Sequence, residues 1–342
     1  MNSIFINCTN ECGVGGLTWV VGDSMDGKIY VSLAVDLVVT DDGGFTFTNI
    51  TQSTGMIVID IHNIAIHPTN FDILYIPLSV GIAKTENGGE FWFLTNDGIL
   101  NTSINLLTTD PFLPNRVYAS SNRGEGMYRT DDYGESWLRL NEGGIEMDYG
   151  DEIVVDPLDP NHVWYIAEVP VIHESWDRGN TWKVLHNPYI PGDFNFCSVY
   201  AIAQSKDNSQ MYASNNGFGI FKSFDGGKSW RESNVGWTID GVFCLVAHPA
   251  NPEIIYTGTY NGMNRSLDFG EHWEIWDNGW LAEQWVFSID FDPTNPDIMY
   301  ACSKNGEDEG RGRDGFRETV MKSIDGGANW FPITNGLTEH WN

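Results

Sequence analysis

The chain has 342 residues, of which 47 are acidic and 18 basic, giving a formal net charge of -29. Nucleic-acid binding depends on lysine and arginine neutralising phosphates, so this balance argues strongly against it, and it disfavours anionic membrane surfaces too. No apolar run approaches the ~18–20 residues of a membrane-spanning helix. The first residues lack the basic and apolar regions of a secretory signal, which leaves the compartment open.

The five cysteines are too few and too scattered for a disulfide framework. Cys197, Cys244 and Cys302 lie in apolar, strand-like runs, so we expect them to be buried free thiols. Cys8 and Cys12 are close enough to pair or to share a metal, and the sequence leaves their redox state open.

A turn pattern, Ser/Thr-x-Asp/Asn-x-Gly-x-x-Trp/Phe, occurs seven times and is called the Asp box here. Its copies are spaced 45, 45, 45, 48, 43 and 57 residues apart, a period typical of a four-stranded propeller blade. The carboxylate or amide should cap a turn, the glycine should tolerate positive φ, and the aromatic residue should plug the space between layers. The capping residues are Asp42, Asn87, Asp132, Asp177, Asp225, Asp268 and Asp325.

A second element precedes each box: an apolar run, a turn rich in proline and asparagine, and another apolar run. Asp292-Pro293-Thr294-Asn295-Pro296 followed by Tyr300 is one example, with the aromatic residue eight positions after the aspartate. This pattern predicts a hairpin. Each repeat therefore consists of strand A, a turn, strand B, a loop, strand C, the Asp box and strand D.

The sequence thus predicts an all-β chain that forms a single seven-bladed β-propeller of four-stranded antiparallel blades across residues 1–342. Residues 1–14 are predicted to be an N-terminal latch, with Ile4-Phe5-Ile6 near blade 7 and face packing closing the ring. The blades are expected at about 15–50, 57–97, 103–141, 151–187, 196–234, 241–277 and 285–335.

The Asp box combined with the Asp-Pro-x-Asn-Pro hairpin resembles, over roughly residues 17–335, one superfamily of Asp-box (BNR-type) propellers. It includes sortilin-type receptors, xyloglucan-specific endoglucanases and the photosystem II assembly propeller. The resemblance implies the fold, whereas function differs among these relatives, which bind peptides, cleave glucans or assist membrane-protein assembly. The endoglucanases use two facing propellers with one carboxylate from each, whereas this chain has one propeller, which counts against carrying over their activity.

Strand direction places the A–B turns and Asp boxes on one face, and the B–C and D–A loops on the other. The latter, called the variable face here, differs between blades and is where function is expected. Its aromatic, acidic and basic residues suit stacking and hydrogen bonding to a sugar, a protein interface, or packing between blades, and all three interpretations stay open. The ligand-binding candidates are Trp237, Asp240, Trp280, Trp285, Tyr149, Phe194 and Arg313.

Acidic residues of the variable face are candidates for a catalytic pair and for a calcium site. Asp151 and Glu283 are the weak candidates for a catalytic pair of a glycoside hydrolase. Glu146, Asp148 and Asp151 are candidate ligands of a calcium ion. The alternative is that they form a solvated acidic turn that binds no metal. No other cofactor is expected.

The leading functional hypothesis is a non-catalytic binding propeller that holds a glycan or protein partner on the variable face. A glycoside hydrolase using two carboxylates on that face is the first alternative, so enzymatic activity is left uncertain. A structural subunit of a larger assembly is the second, and the oligomeric state stays open.

Overall fold

The computed structural model describes residues 19–22, 28–33, 36–51, 61, 63–121, 126–140, 150–156, 159–167, 171–184, 199–204, 210–215, 219–226, 228–236, 241–276, 284–292, 295–305, 318–333 and 335. These residues form seven four-stranded antiparallel sheets, each made of four consecutive strands. The predicted seven-bladed propeller is therefore confirmed. The described part of the chain has no helix with the length and hydrophobicity that a bilayer crossing requires.

The strands are numbered along the chain, and each group of four forms one blade, with strands A to D in that order. Blade 1 holds β1 (Trp19–Gly22), β2 (Ile29–Leu33), β3 (Asp36–Thr40) and β4 (Thr48–Asn49). Blade 2 holds β5 (Ala65–Ile66), β6 (Leu74–Leu78), β7 (Gly81–Thr85) and β8 (Phe93–Leu94). Blade 3 holds β9 (Ile104–Thr109), β10 (Val117–Ser121), β11 (Met127–Thr130) and β12 (Leu138–Arg139). Blade 4 holds β13 (Gly150–Val155), β14 (Val163–Ala167), β15 (Val171–Ser175) and β16 (Lys183–Val184).

Blades 5 to 7 follow the same order. Blade 5 holds β17 (Val199–Gln204), β18 (Met211–Asn215), β19 (Gly219–Ser223) and β20 (Arg231–Glu232). Blade 6 holds β21 (Val242–Ala247), β22 (Ile255–Thr259), β23 (Gly262–Ser266) and β24 (Glu274–Ile275). Blade 7 holds β25 (Gln284–Phe291), β26 (Met299–Asn305), β27 (Glu318–Ser323) and β28 (Phe331–Pro332).

From blade 2 to blade 7 the A strands of neighbouring blades contact one another, and β25 of blade 7 contacts β1 of blade 1. The A strands therefore form the inner ring, and the D strands lie at the outer rim. Each D strand has only two residues. Such short outer strands leave little free edge for pairing with another chain.

The Asp boxes are closed by side-chain hydrogen bonds, as predicted. In blade 1 the Thr40 hydroxyl donates to Asp42 Oδ1 at 2.6 Å and accepts from the Gly44 N–H at 3.1 Å. The Thr46 hydroxyl donates to Asp42 Oδ2 at 2.6 Å, and these bonds lower the pKa of Asp42. The carboxylate is thus held ionised by the turn that it caps.

Blade 2 departs from this arrangement in two coupled ways. Asn87 replaces the aspartate, and Phe91 replaces the hydroxyl, imidazole or amide donor that reaches the second carboxylate oxygen in the other blades. An amide nitrogen cannot accept that second bond, so the donor has no role there. Phe91 is instead 62% exposed.

The residue that follows the box aspartate or asparagine ties blades together. In blade 3 the Tyr133 N–H donates to the A–B turn of its own blade, at Asn115 O. Its carbonyl accepts from the Tyr75 hydroxyl of blade 2 at 3.0 Å. The first bond places both kinds of turn on one face, as predicted, and the second joins neighbouring blades.

The same carbonyl position accepts a bond from the preceding blade at other interfaces. Arg129 donates to Arg178 O at 2.6 Å, and Lys222 donates to Phe269 O at 3.0 Å. Tyr256 donates to Gly326 O at 3.2 Å. The donor is either the hairpin aromatic residue of strand B, such as Tyr256, or the residue before the box in strand C, such as Arg129 and Lys222. Both kinds of donor join a blade to the next one.

The aromatic residue that ends each box is buried in six blades, namely Phe47, Trp92, Trp137, Trp182, Trp273 and Trp330. Trp230 of blade 5, which was predicted to be buried as well, is only partly buried. Cys244 and Cys302 are buried and form no disulfide, as predicted, whereas Cys197, Cys8 and Cys12 lie outside the described residues.

Blades 7 and 1 close the ring by face packing and hydrogen bonds. Lys322 donates to Gly43 O at 2.7 Å, and the Phe47 N–H donates to Asn335 O at 2.9 Å. A shared apolar cluster joins Val31 and Val38 of blade 1 to Cys302 and Val320 of blade 7. Face packing therefore joins blades 7 and 1, and the predicted latch, residues 1–14, lies outside the described residues.

Candidate functional site

Most residues predicted for the variable face lie outside the described part of the chain. This holds for Trp237, Asp240, Trp280, Tyr149, Phe194, Arg313, Glu146, Asp148 and Glu283. Asp151 lies in β13, the inner strand of blade 4. Trp285 is the second residue of β25, at the end of the strand that begins on the variable face, and it is partly exposed. Its role in ligand binding stays a prediction.

The inner strands share a β-bulge near the variable face. The pairing of strands A and B shifts register in blades 3 to 7 at corresponding points. A bulge adds a residue to one strand and re-aims its side chain, and bulges are frequent beside functional sites. The extra residues include Asn105 in blade 3, Asp151 in blade 4, Phe243 in blade 6 and Phe287 in blade 7.

The bulges of blades 6 and 7 belong to a group of four aromatic side chains, called the aromatic cluster here: Phe243, Tyr260, Trp285 and Phe287. The rings of Tyr260 and Trp285 meet edge to face, with centroids 5.0 Å apart. Phe243 lies 4.3 Å from Tyr260 and 4.7 Å from Phe287. The two phenylalanines are buried, whereas Tyr260 and Trp285 are partly exposed. A buried pair thus supports two rings that face solvent.

Close backbone packing sets the position of this cluster. A side chain at Gly258 of β22 would collide with the carbonyl oxygen of Val286 and lie 2.8 Å from Cys244 Sγ. Glycine therefore allows β25 to approach blade 6 closely at the residue between Trp285 and Phe287. On β26, the Ser303 hydroxyl donates to Gln284 Oε1 at 2.8 Å and fixes the residue before Trp285.

Asp290 is the one acidic residue of β25, and the pKa of its carboxyl group is shifted. Burial, and then the nearby charge of Asp292, raise its pKa to about 7, although the Phe291 N–H donates to it at 2.8 Å. Asp290 is five positions after Trp285 along an extended strand, a distance of about 17 Å. Asp290 thus lies towards the Asp-box face and does not belong to the aromatic cluster.

No group of three or more potential metal ligands occurs among the described residues. Glu146 and Asp148 lie outside them, so the calcium site stays a prediction.

Three members of the aromatic cluster were missed from the sequence. Phe243 and Phe287 occupy equivalent positions, five residues before His248 and Asp292 of the A–B turns. Blades 3 and 4 have Asn105 and Asp151 at this position, and that contrast is the signal that could have revealed the two aromatic residues. Tyr260 lies in the short B–C turn of blade 6, where its contacts depend on the neighbouring blade.

The fold and this face define a seven-bladed propeller with an aromatic cluster on its variable face. No family model matches the chain. The xyloglucanase Xgh74A of Acetivibrio thermocellus is 29% identical over 247 residues, which is 66% of this chain and 25% of that protein. The chain thus spans about a quarter of the length of this curated relative.

Two solved structures share the fold. The GH74 xyloglucanase from Xanthomonas campestris superposes with a TM-score of 0.72 at 16% identity, over 98% of this chain and 56% of that one. YCF48 bound to a D1 peptide superposes with a TM-score of 0.64 at 17% identity, over 89% and 93% of the two chains. The resemblance to xyloglucanase propellers and to the photosystem II assembly propeller is confirmed.

These comparisons correct the leading functional hypothesis. The relatives matched by sequence carry the name xyloglucanase, as does a leading structural neighbour. The prediction of a non-catalytic binding propeller is therefore wrong, and the alternative, a glycoside hydrolase, fits better.

Proposed function

We propose that this chain is a glycoside hydrolase propeller that acts on a β-glucan, with xyloglucan as the candidate substrate. The carrying observation is the sequence similarity to a xyloglucanase over 66% of the chain. The aromatic cluster on the variable face supports it, because the similarity alone would also fit a propeller that had lost its substrate-binding surface.

The aromatic cluster has the properties that a sugar-binding surface needs. A pyranose ring has apolar C–H faces and a rim of hydroxyl groups, so it packs on flat aromatic rings flanked by polar groups. Trp285 and Tyr260 are partly exposed and rest on the buried rings of Phe243 and Phe287. Their orientation is therefore fixed before a ligand arrives, which reduces the entropy lost on binding. Their role is to hold and orient the chain of sugars.

Hydrolysis of a glycosidic bond needs a carboxylic acid that protonates the leaving oxygen and a carboxylate that attacks or activates water. We assign these roles to Asp151 and Glu283, without deciding which residue takes which role. Asp151 belongs to the bulge of β13, and Glu283 directly precedes β25 in sequence. The corresponding bulge in blade 7 carries Phe287 of the aromatic cluster.

The test is release of reducing ends from xyloglucan by the full chain, compared with mixed-linkage glucan and with cellulose derivatives. Asp151→Asn and Glu283→Gln should each lower kcat by roughly 100-fold or more. Asp297→Asn is the matched control, because Asp297 is an exposed carboxylate in an A–B turn on the opposite face. Trp285→Ala should mainly raise KM. Absence of hydrolysis on every β-glucan, or full activity of both carboxylate variants, would overturn the proposal.

A further inference from the structure

Trp176 is an exposed tryptophan on the face opposite the aromatic cluster. It is the second residue of the blade 4 Asp box, between Ser175 and Asp177, and 57% of its surface is exposed. The box of this blade is tied to its A–B turn, because the Arg178 N–H donates to Asn161 O at 2.9 Å. Trp176 therefore lies on the Asp-box face.

One face of the indole is held by a buried histidine. The rings of Trp176 and His162 stack with centroids 3.6 Å apart and planes only 9° from parallel. His162 in turn packs on Trp164, at 3.9 Å between centroids. An exposed tryptophan usually keeps rotamer freedom, whereas this one lies flat on a fixed support, and its other face is directed towards solvent.

Buried charges hold the histidine. Its Nδ1 lies 2.9 Å from Asp156 Oδ2, and its Nε2 lies 3.5 Å from Glu174 Oε2. Both carboxylates are only 2% exposed, and Glu174 also pairs with Lys183. The histidine is therefore held from both ring nitrogens.

The repeat fold does not require an indole at this position. The equivalent residue is acidic in blades 1 to 3 and apolar in blades 5 to 7: Asp41, Glu86, Asp131, Phe224, Leu267 and Ile324. Leu267 and Ile324 are 50% and 61% exposed and carry no ring, whereas Phe224 has a 49% exposed ring with Arg231 above it. All seven boxes close in spite of this variety, so the choice of tryptophan in blade 4 calls for a reason outside folding.

The A–B turn that carries His162 is fixed by side-chain hydrogen bonds. Arg178 Nε donates to Asn161 Oδ1 at 2.7 Å, and the Asn161 amide donates to Asp159 Oδ1 at 2.8 Å. Asn161 directly precedes His162, so this network belongs to the turn that supports the indole. A flat ring on a rigid support, with its other face towards solvent, suits stacking against a sugar ring.

We infer that Trp176 forms a second glycan-binding site, which takes a glucose unit of a β-glucan on the Asp-box face. The choice of a β-glucan rests on the proposed function. The site lies across the propeller from the aromatic cluster, so it holds polymer without taking part in bond cleavage. It would raise the local concentration of a long substrate and have no effect on a short one.

The experiment is affinity electrophoresis of the full chain in native gels that contain xyloglucan or hydroxyethyl cellulose. Trp285→Ala serves as background, because it weakens the aromatic cluster and leaves retardation to the second site. Adding Trp176→Ala should weaken the remaining binding about tenfold, which corresponds to ~1.4 kcal/mol. Trp176→Phe should retain part of it. Leu267→Ala, at the equivalent position of blade 6, should change nothing.

Hydrolysis separates this inference from the proposed function. In the otherwise unaltered chain, Trp176→Ala should leave kcat/KM on short glucan oligosaccharides unchanged and lower it on the polymer. Binding that depends on Trp176 in a chain without hydrolytic activity would refute the proposed function and support the second site. Two results would overturn the second site. One is a hydrolytically active chain whose retardation in the polysaccharide gels does not change in Trp176→Ala. The other is an equal loss of retardation in Leu267→Ala.

Discussion

Replacing Asp290 with asparagine should stabilise the protein at neutral and alkaline pH. Burial raises the pKa of Asp290 from 3.8 to about 7, so the folded state binds this proton more tightly than the unfolded state. The contribution of Asp290 to stability is therefore favourable at low pH and is lost as the pH rises from about 4 to about 7. Asparagine keeps the acceptor for the Phe291 N–H and carries no charge to bury.

The pKa shift sets the size of the effect. A rise of about 3 pH units, at about 1.4 kcal/mol each, corresponds to at most roughly 4 kcal/mol above pH 7. Asp290 is partly exposed, so water screens the charge, and about 2 kcal/mol is a realistic gain for Asp290→Asn at pH 8. Near pH 4 the gain should fall close to zero, because the wild-type carboxyl is then neutral.

Urea unfolding of both proteins at pH 8 and near pH 4 measures this difference directly. Comparing the two proteins at each pH cancels the other groups that titrate in the same range. The reasoning would be refuted by an Asp290→Asn variant that is no more stable than wild type at pH 8. An equal gain at both pH values would also refute it, since a packing effect does not follow protonation.

Three further predictions concern the framework. Gly258→Ala should lower the free energy of unfolding in urea by about 1–3 kcal/mol, because the new methyl group meets the Val286 carbonyl. The same variant should raise KM for glucans by displacing Trp285. An unchanged KM would contradict the claim that Gly258 positions Trp285. Hydrogen bonds from Ser229 lower the pKa of Asp225 to about 2. The ionised Asp225 therefore stabilises the folded state above about pH 4, and this contribution is lost as the pH falls towards 2. Asp225→Asn should be less stable than wild type at pH 7 and equally stable in acid, and a difference that does not depend on pH would contradict this prediction. Tyr75→Phe removes the bond to the Tyr133 carbonyl and should cost about 0.5–1.5 kcal/mol in urea unfolding, whereas no loss would mean that water replaces the hydroxyl.

The architecture was predictable because its determinants are local. The hydroxyl of Thr40, the carboxylate of Asp42 and the N–H of Gly44 lie within five residues, so their hydrogen bonds leave a trace as a fixed spacing. Seven copies of that spacing define the blades. The face on which Trp285 lies follows from strand direction alone, which is why it was also predictable.

Most of the aromatic cluster and the Trp176 site were not predicted, because contacts between distant residues create them. Phe243 and Phe287 look like ordinary core residues of their strands, and the contrast with Asn105 and Asp151 is the one trace that their bulges leave in the sequence. Trp176 occupies a freely varying box position, and its support comes from His162, fourteen residues earlier, across a hairpin. Folding, and not sequence spacing, brings these pairs together.

Because blade 7 packs against blade 1, the ring of repeats has no terminal blade. In an open array of repeats the terminal units contact one neighbour only, so unfolding can begin there and spread. Here Lys322, Phe47 and a shared apolar cluster give the first and last blades two neighbours each, like every other blade. Separating one pair of blades exposes two apolar faces at once. The ring therefore has no unit from which to fray, and its blades should be lost together.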